Sequence, residues 1–312
     1  MNLASLVDRA LDLTVAPGYS RLGYEVRSRR FEELPRLDGR VVLVTGATSG
    51  IGLATAEALA ELGASVHLTA RDEQRGRRAA QRSGAEQSWL CDLSSLGSVR
   101  DFAGRFAAEQ PELHALVNNA GALLPERRLS LDGNELALAT NVLGPFLLTG
   151  LLVPELRAGA PSRIVNVSSG GMYTQHLRAD DLQSEHGRYD GAAVYARHKR
   201  AQVVLTELWA ERLAGTGITV HSMHPGWVDT PGLERSLPRF HRLTKPALRT
   251  PGQGADTIVW LAAAAEPGED SGAFWHDRRE RPKHLLPRTR ETEAERRRLW
   301  HECVRLTGLE LR

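Results

Sequence analysis

The chain has 312 residues, 41% hydrophobic and 25% charged, with a formal net charge of +2. That composition suits a soluble globular protein able to bury a sizeable core, and so small a charge requires no nucleic-acid partner. Cys91 and Cys303 stand apart, giving neither metal-ligand spacing nor a disulfide framework, and no apolar run reaches the ~20 residues that span a bilayer.

Leu3, Leu6, Val7, Ala10 and Leu11 recur at helical spacing, so residues 1–15 predict an amphipathic helix. Its apolar face packs on the main domain, with a membrane-surface contact or a lid over the site as alternatives. Met1 to Ala16 lacks a signal-peptide core, so a cytoplasmic location is expected. Pro17 and Gly18 end the helix. A polar connector to Leu37 completes an extension at 1–37, and the main domain follows at 38–312.

Strands are expected at Arg40–Val44, Ser65–Ala70, Ser88–Leu90, His114–Val117, Arg163–Val167 and Ile218–Met223, with a short last one at Gly272–Trp275. Helical stretches alternate with them at Leu53–Leu62, Gln74–Arg82, Leu96–Gln110, Asn134–Leu156, Ala192–Leu213, Pro251–Ala265 and Glu291–Leu306. Alternation of this kind implies parallel strands joined by right-handed crossovers. The fold class is therefore α/β, a single-domain doubly wound parallel sheet with helices on both faces. The Gly170–Gly191 and Thr230–Arg249 stretches are expected as long loops that shape a substrate site.

The first strand runs into Thr45-Gly-Ala-Thr-Ser-Gly-Ile-Gly52. Glycines at a strand-to-helix turn let the backbone approach a pyrophosphate, and the helix N-terminus presents N–H groups to it. Gly46, Thr48, Ser49, Gly50, Ile51 and Gly52 are the candidate contacts. The second strand ends in Ala70-Arg71 rather than in an acidic residue. Arg71 suits a 2′-phosphate, so NADP(H) is favoured over NAD(H), and Asp72 reads as a helix cap.

Tyr195 and Lys199 lie one turn apart on one helical face. A phenol titrates near ~10, and a neighbouring ammonium favours its phenolate, so the pair is a candidate proton-transfer device.

These motifs join in one order: Thr45–Gly52, Asn118-Asn-Ala-Gly121, Asn141, Val167-Ser-Ser169, Tyr195-x-x-x-Lys199 and Pro225-Gly226. In that order the chain resembles the short-chain dehydrogenases/reductases, over roughly residues 38 to 312. The Ser169–Tyr195 gap and the Leu299-Trp300 tail resemble the retinol-dehydrogenase-like branch. The resemblance implies a Rossmann-type sheet and a hydride transfer between a nicotinamide and a carbonyl or alcohol. It implies Tyr195 as general acid or base and Lys199 as the group that lowers its pKa and binds the nicotinamide ribose. Ser169, rather than Ser168, would hold the substrate oxygen, and Asn141 would support a water relaying protons to Lys199. Asn119, Ala120 and Gly121 would line the adenosine side, with Asp92 and Leu93 at the adenine. Pro225, Gly226, Val228 and Thr230 would shape the nicotinamide pocket.

No metal is called for: the histidines form no ligand pattern, and His198 reads as packing or surface. Met172, Tyr173, Trp227 and Phe240 suggest an apolar pocket for a lipophilic substrate, or simply pack the loops together. The basic runs Arg278-Arg279-Glu280-Arg281 and Arg296-Arg297-Arg298 read as solvated surface. Helices around 142–157 and 194–213 resemble those that pair subunits in such enzymes, so a homodimer is a candidate, with a monomer left open. A dinucleotide-binding scaffold or redox sensor with little turnover is the competing functional class. Intact Asn141, Ser169, Tyr195 and Lys199 argue against it.

Overall fold

The short β-branched runs become strands of one sheet. The computed structural model describes residues 15–310, so the helix expected over 1–15 lies, but for its last residue, outside the described residues. The strands are β1 (Val41–Val44), β2 (Ser65–Ala70), β3 (Gln87–Leu90), β4 (Ala115–Asn118), β5 (Ser162–Val167), β6 (Ile218–Met223), β7 (Phe274–His276) and β8 (Arg279–Glu280). Their order is β3-β2-β1-β4-β5-β6-β7-β8, parallel throughout except for the antiparallel β7–β8 edge. Strand order reverses between β1 and β4. That reversal opens a crevice at the carboxyl ends of the strands, where ligands of such sheets bind.

Two-residue periodicity divides the core into two layers. Leu43, Leu116, Ile164 and Val220 face one side, against α5 (Leu96–Glu109), α6 (Gly144–Leu151) and α8 (Gly191–Arg212). Val42, Val44, Val66, Val117 and Val165 face the other, against α3 (Gly50–Glu61), α4 (Glu73–Ser83) and α11 (Pro251–Ala263). Burial on both faces explains why these strands read as continuous apolar runs. No helix among the described residues is long and apolar enough to cross a membrane.

Proline chemistry accounts for the main departures from expectation. The stretch expected as one helix over Asn134–Leu156 is a turn at Leu136–Leu138, a π-helical turn at Ala139–Leu143, then α6 and α7 (Val153–Ala158). Pro154 has no N–H to continue the ladder, and the chain breaks at Leu152 before it. Pro17 and Gly18, expected to end a helix, are themselves helical within α1 (Val15–Tyr19). The expected polar connector contains α2 (Arg21–Ser28). The expected Thr230–Arg249 loop holds α9 (Pro231–Ser236) and α10 (Pro238–Thr244). Thr230 caps α9 by accepting the Leu233 N–H at 3.1 Å, and each helix starts on a proline.

The terminal helix α12 (Glu293–Thr307) starts with a reciprocal capping box between Thr292 and Glu295. It packs Trp300 against Phe146 and Trp209, with ring centroids 5.0 and 4.9 Å apart, and Leu309 beyond its end rests on Gly150. Part of the helix face expected to pair subunits is thus covered by the chain's own C-terminus. The basic runs are less solvated than expected. Arg278 pairs with Asp256 at 2.8 Å, Arg281 is buried, and Arg296 pairs with Glu207 at 2.7 Å. Arg279, Arg297 and Arg298 do face solvent.

Trp300 is 5% exposed and central to that packing. Trp300→Ala is expected to cost about 3–5 kcal/mol, read as a fall in the urea midpoint at unchanged slope.

Candidate active site

The glycine-rich turn is shaped by backbone conformations that side chains resist. Gly46 and Gly50 have φ of +65° and +58°. The α3 N-cap, Ser49, makes no side-chain capping bond, which leaves the first-turn N–H groups of this helix for an anion. Thr48 and Ile51 are partly exposed on the same turn, and Gly52 is buried beneath it. Thr45 and Asn119 hold the turn from below. The Asn119 amide donates to the Thr45 carbonyl at 2.8 Å and the Gly46 carbonyl at 3.2 Å, and Thr45 Oγ1 accepts the Asn119 and Ala120 N–H groups. Asn119 therefore braces the turn. Across the crevice Thr230 faces Gly50, and Val228 packs on Gly254 beside Ile51. These positions, far apart in sequence, meet at the carboxyl ends of the strands.

At the adenosine end of the crevice, Arg71 is exposed after β2, and no carboxylate among the described residues pairs with it. Asp72 caps α4, accepting the Arg75 N–H at 2.7 Å. The Asp92 carboxylate accepts from the Ser94 N–H and hydroxyl at 2.9 and 2.8 Å. The Leu93 side chain is buried in the core, so only its main chain is available to a ligand.

At the other end, Tyr195 and Lys199 project from α8 towards the end of β5. The Ser169 hydroxyl lies near enough to the Tyr195 phenol to favour its phenolate, and it accepts the Gly171 N–H at 3.3 Å. Ser168 points inward and donates to the Lys199 carbonyl at 2.9 Å, which leaves Ser169 as the serine facing the site. Lys199 Nζ lies 5.4 Å from the Tyr195 ring centre. It donates to the Val167 carbonyl at 2.7 Å and to Gln202 Oε1 at 3.0 Å.

Burial dominates the protonation of this pair. Part of the Tyr195 ring remains exposed. Even so, the protein packed around the phenol pushes it up to about 12, with the Ser169 hydroxyl pulling the other way. Burial also brings Lys199 down to about 7. The lowering of the phenol by Lys199 expected from sequence is therefore not the leading effect among the chain's own groups, because the ammonium is itself desolvated.

Asn141 sits in the π-helical turn, a feature that displaces carbonyls from the ladder and recurs at functional sites. Its amide clamps the loop after β4, accepting the Ala122 N–H at 2.7 Å and donating to the Ala122 carbonyl at 2.8 Å. That holds Gly121 beside Lys199. The Asn141 main-chain carbonyl accepts from Gln202 Nε2 at 2.7 Å. His198 is buried, 3.4 Å from the Asn141 amide and 3.8 Å from Glu135. Burial, then Lys199 and Arg197, lowers it to about 3, and it packs as a neutral ring.

Sequence reasoning missed a clamp beneath the Pro225-Gly226 loop. Asp277, on the β7–β8 turn, receives Arg249 through both oxygens at 2.6 and 2.9 Å and Arg27 at 2.8 Å. Arg249 also donates to the carbonyls of Gly18, Ser20 and Pro225. Trp227 N–H meets the Tyr19 carbonyl at 2.8 Å, and the Tyr19 ring lies 4.3 Å from His224 and against Gly170. The N-terminal segment thus ties together the ends of β5 and β6. Burial opposes the Asp277 charge, but His276, Arg249 and Arg27 hold the carboxyl well below the usual carboxylate range. Burial, opposed by Asp277, lowers His276 to about 4, and burial together with His276 lowers His224. Met172 and Tyr173 pack in a buried cluster with Phe274, whereas Trp227 meets Phe240 of α10 edge-on at 5.2 Å.

A family model described as short chain dehydrogenase matches residues 40–239. Dehydrogenase/reductase SDR family member 12 of Bos taurus is 45% identical over 292 residues, covering 90% of this chain and 91% of its own. Retinol dehydrogenase 12 of Homo sapiens is 38% identical over 282 residues, 88% of each chain. The solved Pseudomonas aeruginosa RhlG/NADP active-site complex superposes with a TM-score of 0.63 at 27% identity, covering 78% of this chain and 96% of that one.

The clamp sets an acid limit. A histidine of lowered folded pKa binds its proton only on unfolding, so protonation favours the unfolded chain between the ordinary value of 6.5 and the folded value near 4. Stability is expected to fall as pH drops through that window and to fall further below the ordinary Asp value of 3.8, where Asp277 is lost. Asp277→Asn is expected to cost about 3–5 kcal/mol by stranding two buried guanidinium groups, measured by chemical denaturation at neutral pH.

Proposed function

Because the chain belongs to the short-chain dehydrogenase family and so is an NAD(P)-dependent oxidoreductase of alcohol and carbonyl groups, we propose that it is an NADP(H)-dependent enzyme acting on a lipophilic substrate. The observation that carries the catalytic part is the convergence of Tyr195, Ser169 and buried Lys199 at the end of β5, with Lys199 Nζ 5.4 Å from the Tyr195 ring centre and beside Gly121. Trp227 and Phe240 support an apolar substrate, as does the likeness to proteins named for retinol. Exposed Arg71 supports NADP(H), as does the NADP complex among the structural relatives. Nothing in the proposal needs a second copy of the chain, since α12 covers part of the helix face that would pair one.

A bound NADPH supplies the hydride, and Ser49 with the turn around Gly46 and Gly50, Arg71 and Thr230 are the residues that would hold it. In reduction, Ser169 donates a hydrogen bond to the carbonyl oxygen as negative charge develops there, and Tyr195 transfers its proton to that oxygen. In oxidation Tyr195 Oη removes the hydroxyl proton. Lys199, one turn away, steadies the phenolate that reduction leaves and oxidation consumes, and the Asn141 clamp keeps the β4 loop in register with it. A phenol held near 12 stays protonated, which suits a proton donor at neutral pH.

Tyr195→Phe is expected to lower the rate of NADPH-driven reduction of lipophilic aldehydes and ketones by about 10²- to 10⁴-fold, the usual worth of a positioned general acid. Parent-like turnover of that variant would refute the assignment. Arg71→Ala is expected to weaken NADPH binding by about 10- to 100-fold through a lost charge-assisted pair, leaving NADH binding unchanged in the same titration.

A further inference from the structure

We propose that Gln202 is a positioning residue of the proton-transfer centre, bridging Lys199 Nζ to the Asn141 carbonyl and closing that end of the site to proton exchange. The proposal rests on the dehydrogenase reading above. Gln202 lies three residues after Lys199 and seven after Tyr195, on the same face of α8. It is 4% exposed. Its Oε1 accepts from Lys199 Nζ at 3.0 Å and its Nε2 donates to the Asn141 carbonyl at 2.7 Å. An ammonium can only donate and a carbonyl can only accept, so this amide orientation alone satisfies both neighbours.

The bridge has two consequences. Gln202 Oε1 and the Val167 carbonyl are the two acceptors that favour a charged Lys199 against the burial that disfavours it. An amide does not hand a proton on as a water does. Lys199 therefore has no water on this side to pass a proton to, and Tyr195 exchanges its proton on the substrate side. Phe146, Thr149 and Trp209 line a small half-open pocket next to Asn141 and Gln202, so shortening this side chain leaves room for a water.

The test compares Gln202→Met, which keeps length and volume but loses both hydrogen bonds, with Gln202→Ala, which admits water between Lys199 and Asn141. If Gln202 bridges, kcat falls in the order parent, Ala, Met. Met should lie about tenfold or more below the parent, with the substrate KM little changed. If Gln202 only fills space, Met equals the parent and Ala is the weaker variant, which overturns the proposal. A second readout needs no turnover. The chain holds only Lys199, Lys245 and Lys283, so ¹³Cε-lysine NMR resolves the Lys199 titration directly, with Lys199→Arg giving the assignment. Gln202→Met is expected to lower the Lys199 midpoint by about one pH unit, and an unmoved midpoint sinks the bridge. Should the parent turn over no carbonyl, the dehydrogenase reading fails, and the lysine titration still decides the role of Gln202.

Discussion

Everything at this site depends on holding one ammonium where water does not reach. Lys199 is 2% exposed, and a carbonyl at the end of β5 and an amide on its own helix favour its charged form against that burial. Those partners are available only because α8 lies flat on the sheet. The Ser168 hydroxyl pins the Lys199 carbonyl to the β5 end, and buried Arg200 donates to the carbonyls of Met172 and Lys283 on either side. The helix is thereby fixed in both rotation and height. Tyr195, one turn earlier, is delivered to Ser169 by the same constraint.

The groove around that centre is assembled from parts far apart in sequence. The glycine turn follows β1, the Asn141 clamp lies in the π-helical turn before α6, and Arg249 ties α1 and α2 to the loop after β6. Each tie fixes main chain rather than a reactive group. That division leaves the few reactive side chains free to face the substrate while buried polar contacts hold the frame. It also makes the frame sensitive to acid, because the histidines beneath the Pro225 loop are neutral only while folded.

Much of this was legible in the sequence, for identifiable physical reasons. Strand runs such as Val41–Val44 are buried and read as unbroken apolar stretches, and Asp72, two residues past β2, was readable as the cap it proves to be. Tyr195 and Lys199 were legible because helical spacing alone puts them on one face. The protonation of the pair was not, since it turns on desolvation, which spacing does not report. Arg249 and Asp277 escaped notice because charges in polar stretches ordinarily face solvent, and only their meeting across 28 residues makes them a buried pair. Gln202 carried a signal that could have been read, a polar residue at helical spacing from both Tyr195 and Lys199. Met172 and Tyr173 sat in the right loop, but the turn after Ser169 directs them inward.

The central claim is that Tyr195, held by Ser169 and Lys199, gives its proton to the oxygen that the hydride creates. The most direct measurement is a double isotope effect on carbonyl reduction, comparing NADPH with NADPH deuterated at the transferred position, each in light and in heavy water. The account predicts that both substitutions slow the same step and that the hydride effect persists in heavy water. A hydride effect with no solvent effect at any pH would contradict it, because the proton would then arrive by a route that does not pass through Tyr195.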